Sequence, residues 1–323
     1  MSAKVNRPIS PSENWPVIID AHLHLWNRID GEIPAGRVRP LTNGRIRIGR
    51  REVLGMPPYL TDCRNTVERL LAVLDSSGVA GAVVVQEFLD GNQNRYLASV
   101  ARRYPDRFFV HALLDFRNPA VCLRQARAAR RAGFRGIKIP AAHLPGFKPR
   151  VRLDDRALMK VWEFMQQQGM ILAVDLADGS RQNSELKHVI AACPELVIVL
   201  GHFAMVNRPG WLEQLRLCLY PSVYVESGGL VWLFREEGPP FAAAQRAIGQ
   251  ARQEVGIDKL LWGSDYPRTM TDFTYQQSLD PVLRGCGFLS EKERAAMLGG
   301  NARRVYGFDR LPRVRPVLPV TAI

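Results

Sequence analysis

Eight short runs of apolar and β-branched residues recur along this 323-residue chain, separated by longer segments with helical spacing. The runs occupy 16–20, 79–86, 107–114, 134–140, 170–175, 196–201, 222–227 and 259–264. Between them, segments such as 66–78 place Val67, Leu70, Leu71 and Leu74 on one helical face, with Gly78 where a C-terminal cap belongs. Continuous apolar runs of this kind are parallel strands buried on both faces, because helices cover each side of the sheet. Eight strand–helix repeats are the number that closes a (β/α)8 TIM barrel of about 250 residues. An open doubly wound sheet is the alternative, but it calls for a glycine-rich turn after the first strand, where this chain reads DAHLHLW.

One barrel domain over 1–323 is therefore expected, with its core at 16–308. Two segments fall outside the repeat. Residues 27–60 form a long insertion after the first strand, rich in arginine, with the length of a functional lid. Residues 309–323 form a Pro- and Arg-rich tail.

Composition narrows the partners. The net charge is +13, a field that concentrates anions, yet no nucleic-acid motif accompanies it. A small anionic substrate is expected, with no nucleic acid and no membrane, and self-association is left open. The five cysteines include no CxxC pair, which argues against disulfides or a thiolate zinc site. No run is long enough to span a bilayer, and residues 1–16 carry no apolar run of signal-peptide type, so the cytoplasm is the expected location.

Three motifs carry chemistry. Asp20, His22 and His24 alternate at the end of the first strand, and side chains two apart on a strand share a face. Two imidazoles so placed at a barrel mouth can chelate a divalent ion. Asp265, in WGSDYP after the last strand, could ligate that ion, take a proton from water, or simply cap a turn. His202 follows LVIVLG and lies at a strand end in the same phase. Lys138 could offer charge to a substrate carboxylate or snorkel at its strand end; His143 is a candidate substrate contact, and Trp26 is placed to line a pocket. His111 and His188 read as structural.

IIDAHLHLW, FRGIKIP, VIVLGHFA, LLWGSDYP and GGNARRVYGF together resemble the amidohydrolase-related (amidohydrolase 2) family, in order and spacing over residues 16–308. The resemblance implies a TIM barrel with one divalent metal, or a metal-less site descended from one. It matches His22 and His24 to first-strand ligands, Asp265 to the last-strand ligand and base, and His202 to the histidine that polarises substrate. One position departs from the family: a histidine usual after the fifth strand is replaced by Asp175. Asp175 could ligate as a carboxylate, shifting preference from zinc towards manganese or magnesium.

The implied activity is hydrolysis of a lactone, ester or amide carbonyl in a small, carboxylate-bearing substrate. Asp265 would accept the proton of an activated water, and His202 would stabilise the oxyanion. Arg47 and Arg50 of the insertion, with Lys138, would hold the carboxylate. A non-oxidative decarboxylase of an aromatic or muconate-like acid is the alternative on the same scaffold, and an inactive binding barrel is the second.

Overall fold

The computed structural model describes residues 15–177 and 180–317. The expectations placed on residues 1–14 and on the end of the tail, 318–323, lie outside the described residues.

Eight parallel strands form the barrel in the expected order: β1 (Ile18–His24), β6 (Val79–Val85), β7 (Phe108–Leu113), β8 (Gly136–Ile139), β9 (Ile171–Val174), β10 (Ile198–Leu200), β11 (Val223–Glu226) and β12 (Leu260–Leu261). Seven fall inside their apolar runs, and β1 starts in the first run and continues through the His22–His24 motif. β12 is only two residues long, and closure against β1 passes to single hydrogen bonds: Ala21 N to Trp262 O at 2.9 Å and Asp265 N to His22 O at 2.8 Å.

Helices α1 (Val67–Ser77), α2 (Asn94–Arg103), α3 (Pro119–Arg131), α4 (Arg156–Gln167) and α5 (Asn183–Ala192) cover the outside. Gly78 caps α1 with φ 71°, a left-handed conformation that glycine adopts without a Cβ penalty. Their apolar stripes and the outward strand residues make one continuous core. Inside the barrel, Ile19, Ala21, Val83, Val85, Phe109, Ile171, Ala173, Val199 and Leu261 pack as a second cluster, closed below by Tyr306 and Phe308. Barrel interiors are filled in this way. Chemistry is thus confined to the C-terminal mouth.

The insertion is an antiparallel meander and not an irregular lid: β2 (Glu32–Ile33), β3 (Gly36–Pro40), β4 (Arg45–Ile48) and β5 (Arg51–Leu54). Ile46 is buried with Trp26, Val38, Met56 and Leu60 in a core of its own. Among the described residues, no helix is long and apolar enough to cross a membrane.

Candidate active site

β1 does not keep strict alternation. Its register against β6 is irregular between Asp20 and Leu23, so Asp20 does not join the two histidines as the spacing predicts. It accepts instead from Ser264 N at 2.9 Å and Tyr275 Oη at 2.8 Å, tying the end of the last strand to the first. Burial pushes the Asp20 carboxyl up to about 6.

His22 and His24 do meet Asp265. The distance from His24 Nε2 to Asp265 Oδ1 is 3.0 Å, and from His22 Nε2 to the same oxygen 3.8 Å. His22 Nδ1 lies 2.7 Å from Glu226 Oε1. Burial, with Lys138 and His202 nearby, lowers the His22 pKa well below the usual range. His22 is therefore neutral, donates Nδ1–H to Glu226, and leaves the Nε2 lone pair without a partner. His24 lies between two carboxylates, with Asp90 Oδ2 3.3 Å from its Nδ1. Burial opposes its charge, but hydrogen bonds to Asp265 and Asp90 prevail and raise it to about 9. Burial works against ionised Asp265 too, yet His24, His202 and His22 hold its carboxyl below the usual range.

His202 sits on a left-handed turn. His202, Phe203, Ala204 and Met205 have φ of 52°, 51°, 53° and 57°. Such a turn costs roughly 1–2 kcal/mol per residue, so the surroundings must hold it in place. They do: His202 N donates to Glu226 Oε1 at 2.9 Å, and buried Phe203 stacks on Trp211 while its carbonyl accepts from Trp211 Nε1 at 2.9 Å. The result sets the His202 ring 4.7 Å from that of His22, with Nδ1–H on Gly228 O at 3.0 Å and Nε2 3.5 Å from Asp175 Oδ2. Burial disfavours its charge, but Asp175, Asp265 and Glu226 raise it to about 10.

Two strand-end glycines make this density attainable. A Cβ on Gly201 would stand 1.9 Å from Asp175 Oδ1, and one on Gly228 would stand 2.7 Å from both Glu226 Oε2 and His22. No other residue fits either place.

Lys138 is buried below the mouth and is not free for substrate. Its Nζ lies 2.6 Å from Asp175 Oδ2 and 3.1 Å from Glu87 Oε1. Burial opposes its charge, but both carboxylates raise its pKa; a buried ion so compensated loses several kcal/mol if a partner is removed. Asp175 points into the mouth as a partner of Lys138 and His202.

Above the site lies a cavity of about 420 Å³, bordered by His24, His143, His202 and Asp265 and roofed by the meander. Arg47 and Arg50 are not among its lining residues. Strand alternation turns Ile46 and Ile48 inward and Arg47 outward, where it pairs with Glu52 at 2.7 Å. Trp26 is fully buried in the meander core with Nε1–H on Cys63 O at 2.8 Å, and it lines no part of the cavity. The arginine at the cavity wall is Arg268, whose guanidinium stacks 4.7 Å above the Trp26 ring and bonds Asp90 and Gly55 O.

Four residues escaped the sequence reading. Glu226 had a signal, since it closes the seventh apolar run at the same strand-end position as the histidines. Glu87 lies two residues beyond β6, whereas Asp90 and Arg268 sit on loops without any period.

The donor set fits a divalent ion. His22, His24 and Asp265 each offer one ligand atom, all within 4.8 Å of one another, and a buried imidazole nitrogen without a partner is aimed among them. His24 Nε2 and His22 Nε2 stand 3.0 and 3.8 Å from Asp265 Oδ1, within the roughly 4 Å that two ligand bonds of about 2 Å can span, provided His24 Nε2 gives up its proton on binding. His22, Asp175 and His202 form a second, overlapping group.

The sequence profile of the amidohydrolase family matches residues 19–308. The chain belongs to the amidohydrolase family. The L-fucono-1,5-lactonase of Burkholderia ambifaria is 28% identical over 304 residues, covering 90% of this amidohydrolase and 96% of that enzyme. A structure from Acinetobacter baumannii, described as a probable 2-pyrone-4,6-dicarboxylic acid hydrolase with citric acid bound, superposes with a TM-score of 0.66. It is 19% identical, covering 90% of this amidohydrolase and 99% of that chain. An amidohydrolase from Burkholderia multivorans with bound zinc gives 0.64 at 20% identity, covering 92% of this chain and 100% of that one. At these identities the two structures establish the shared barrel.

Proposed function

We propose that this amidohydrolase opens the ring of a small, carboxylate-bearing lactone by hydrolysis, with zinc as its ion. The observation that carries the reading is one ionised carboxylate, Asp265, placed between the two β1 histidines and His202 at the floor of a substrate-sized cavity. The likeness to a lactonase over nearly its whole length supports the choice of carbonyl. Zinc held by His22, His24 and Asp265 would supply Lewis-acid polarisation of the carbonyl and make water more acidic at neutral pH.

Asp265 takes a proton from water as its oxygen bonds to the lactone carbon. Protonated His202, steadied through Nδ1–H on Gly228 O, donates Nε2–H to the developing oxyanion. Collapse breaks the bond between carbonyl carbon and ring oxygen, and Asp265 returns its proton to that oxygen. The product is a hydroxy acid, which releases a proton to solvent. Asp175, held by Lys138, orients His202. Arg268 and His143 face the cavity and take the substrate carboxylate and ring edge.

Proton release from a panel of lactones, followed at constant pH, tests the reading. Acid should form without carbon dioxide, and Asp265→Asn should lose roughly 10²- to 10⁴-fold in kcat. Carbon dioxide from an aromatic acid, with no lactone opened, would overturn it.

A further inference from the structure

The cavity is chemically two-sided. His24, His202 and Asp265 form its floor, whereas Ile46, Ile48, Val53, Leu54, Leu89 and Trp232 form much of its roof and rim. Only nine large hydrophobic residues are exposed among the described ones, and three of them border this one cavity: Val53 at 40%, Leu54 at 44% and Trp232 at 37%. Scattered apolar residues on a surface need no explanation, but a group of them around a reactive floor marks a surface that binds something.

The meander places these side chains and pairs two of its arginines. Arg45 and Arg47 flank Ile46 on β4, and both pair with Glu52 across the sheet, at 3.8 and 2.7 Å. Cross-strand pairing puts Ile46, Ile48 and Val53 on the inner face together with exposed Arg51, whereas Leu54 stands opposite Arg45 and borders the cavity from the edge strand of the sheet.

We infer that the lactone carries an apolar substituent, alkyl or aryl, that packs under the meander against Ile48, Val53, Leu54 and Trp232 while its ring carbonyl lies over Asp265 and His202. This rests on the hydrolytic reading above and adds the substrate class. A sugar lactone such as that named for the Burkholderia ambifaria relative bears hydroxyls on three adjacent ring carbons. Against this roof those hydroxyls would lose water without gaining partners, a cost that apolar substituents do not incur.

A series of δ-lactones that all bear one ring carboxylate tests this: the parent ring, its 5-methyl, 5-propyl and 5-pentyl derivatives, and a sugar-acid 1,5-lactone. Each methylene that reaches the roof should raise kcat/KM roughly fourfold. Leu54→Ser and Val53→Ser lie on the exposed edge of the meander, away from its core. Each should cost the pentyl lactone roughly 10-fold or more, and the parent ring much less. Calorimetric binding of the matching lactams, each shown to be recovered intact, gives an independent readout in which Kd should fall with chain length. If no lactone is opened but lactam affinity climbs with the chain, the reaction is misassigned and the apolar roof stands. If lactones are opened at rates indifferent to chain length, or the sugar lactone is preferred, and lactam affinity is flat, the reaction stands and the roof plays no part in selection.

Discussion

Glu226 Oε1 lies 2.7 Å from His22 Nδ1, joining the seventh barrel strand to the first across 204 residues of sequence. The same carboxylate accepts from His202 N and Gly228 N. One buried acid thus fixes the tautomer of a ligand histidine and the position of the histidine beside it. Burial pushes Glu226 up to about 7, against the opposing pull of charged His202 and the Gly228 N–H.

Replacing that acid should weaken ion binding without emptying the site. In Glu226→Gln the amide can still accept from His22 but cannot also accept at both oxygens. Zinc affinity, measured by competition with a coloured chelator, should fall roughly 10- to 100-fold. Unchanged affinity would mean that His22 needs no such support.

Arginine contributions should separate by face. Arg268→Ala removes the cation at the cavity wall and should lower kcat/KM on a carboxylate-bearing lactone roughly 10- to 150-fold, the value of a charge-assisted bidentate contact. Arg47→Ala removes only a solvent-screened surface pair with Glu52 and should change turnover less than about twofold. Rates on the acid and on its neutral amide analogue decide the matter, since a carboxylate contact is lost only for the acid.

Much of this was legible in the chain. Each of the eight apolar runs yields one barrel strand, because a strand buried on both faces is mostly apolar, and only β1 extends past its run into the two histidines. His22, His24, His202 and Asp265 could be found because they sit at strand ends, where sequence position fixes which way a side chain faces. The direction of Arg47 and Arg50 was hidden for a related reason. Composition shows seven arginines in the insertion, but only the pairing of β4 with β5 decides the face that Arg47 occupies, and Arg50 falls in the turn between them. The irregular register of β1 likewise overrides the two-residue alternation that would have put Asp20 in the site. Arg268 and Asp90 meet on loops that no period describes.

His111 should govern part of the acid sensitivity of the fold. It is fully buried in the barrel beside Phe109 and Tyr306, with no charged partner for its ring. Burial, with Lys138 nearby, lowers it from 6.5 to about 3. Below pH 6.5 the unfolded chain takes up a proton that the folded state refuses until about pH 3. Stability is therefore complete above 6.5 and falls as pH drops, by up to about 1.4 kcal/mol per unit for this one group. His111→Leu should flatten the slope of urea-unfolding free energy between pH 6 and 4. A slope equal to that of the wild type would assign acid sensitivity to other groups.

Metal content and turnover measured together test the central claim, that His22, His24 and Asp265 hold a divalent ion required for hydrolysis. Protein stripped by exhaustive chelation should be inactive on lactones. It should recover activity as zinc is added, reach a plateau at one ion per chain by elemental analysis, and melt at a higher temperature with the ion bound. The His22→Ala, His24→Ala double variant should stay folded, bind no ion and show no recovery. A stripped wild-type protein that opens lactones at its full rate would contradict the account, leaving His22 and His24 as hydrogen-bond donors to the substrate.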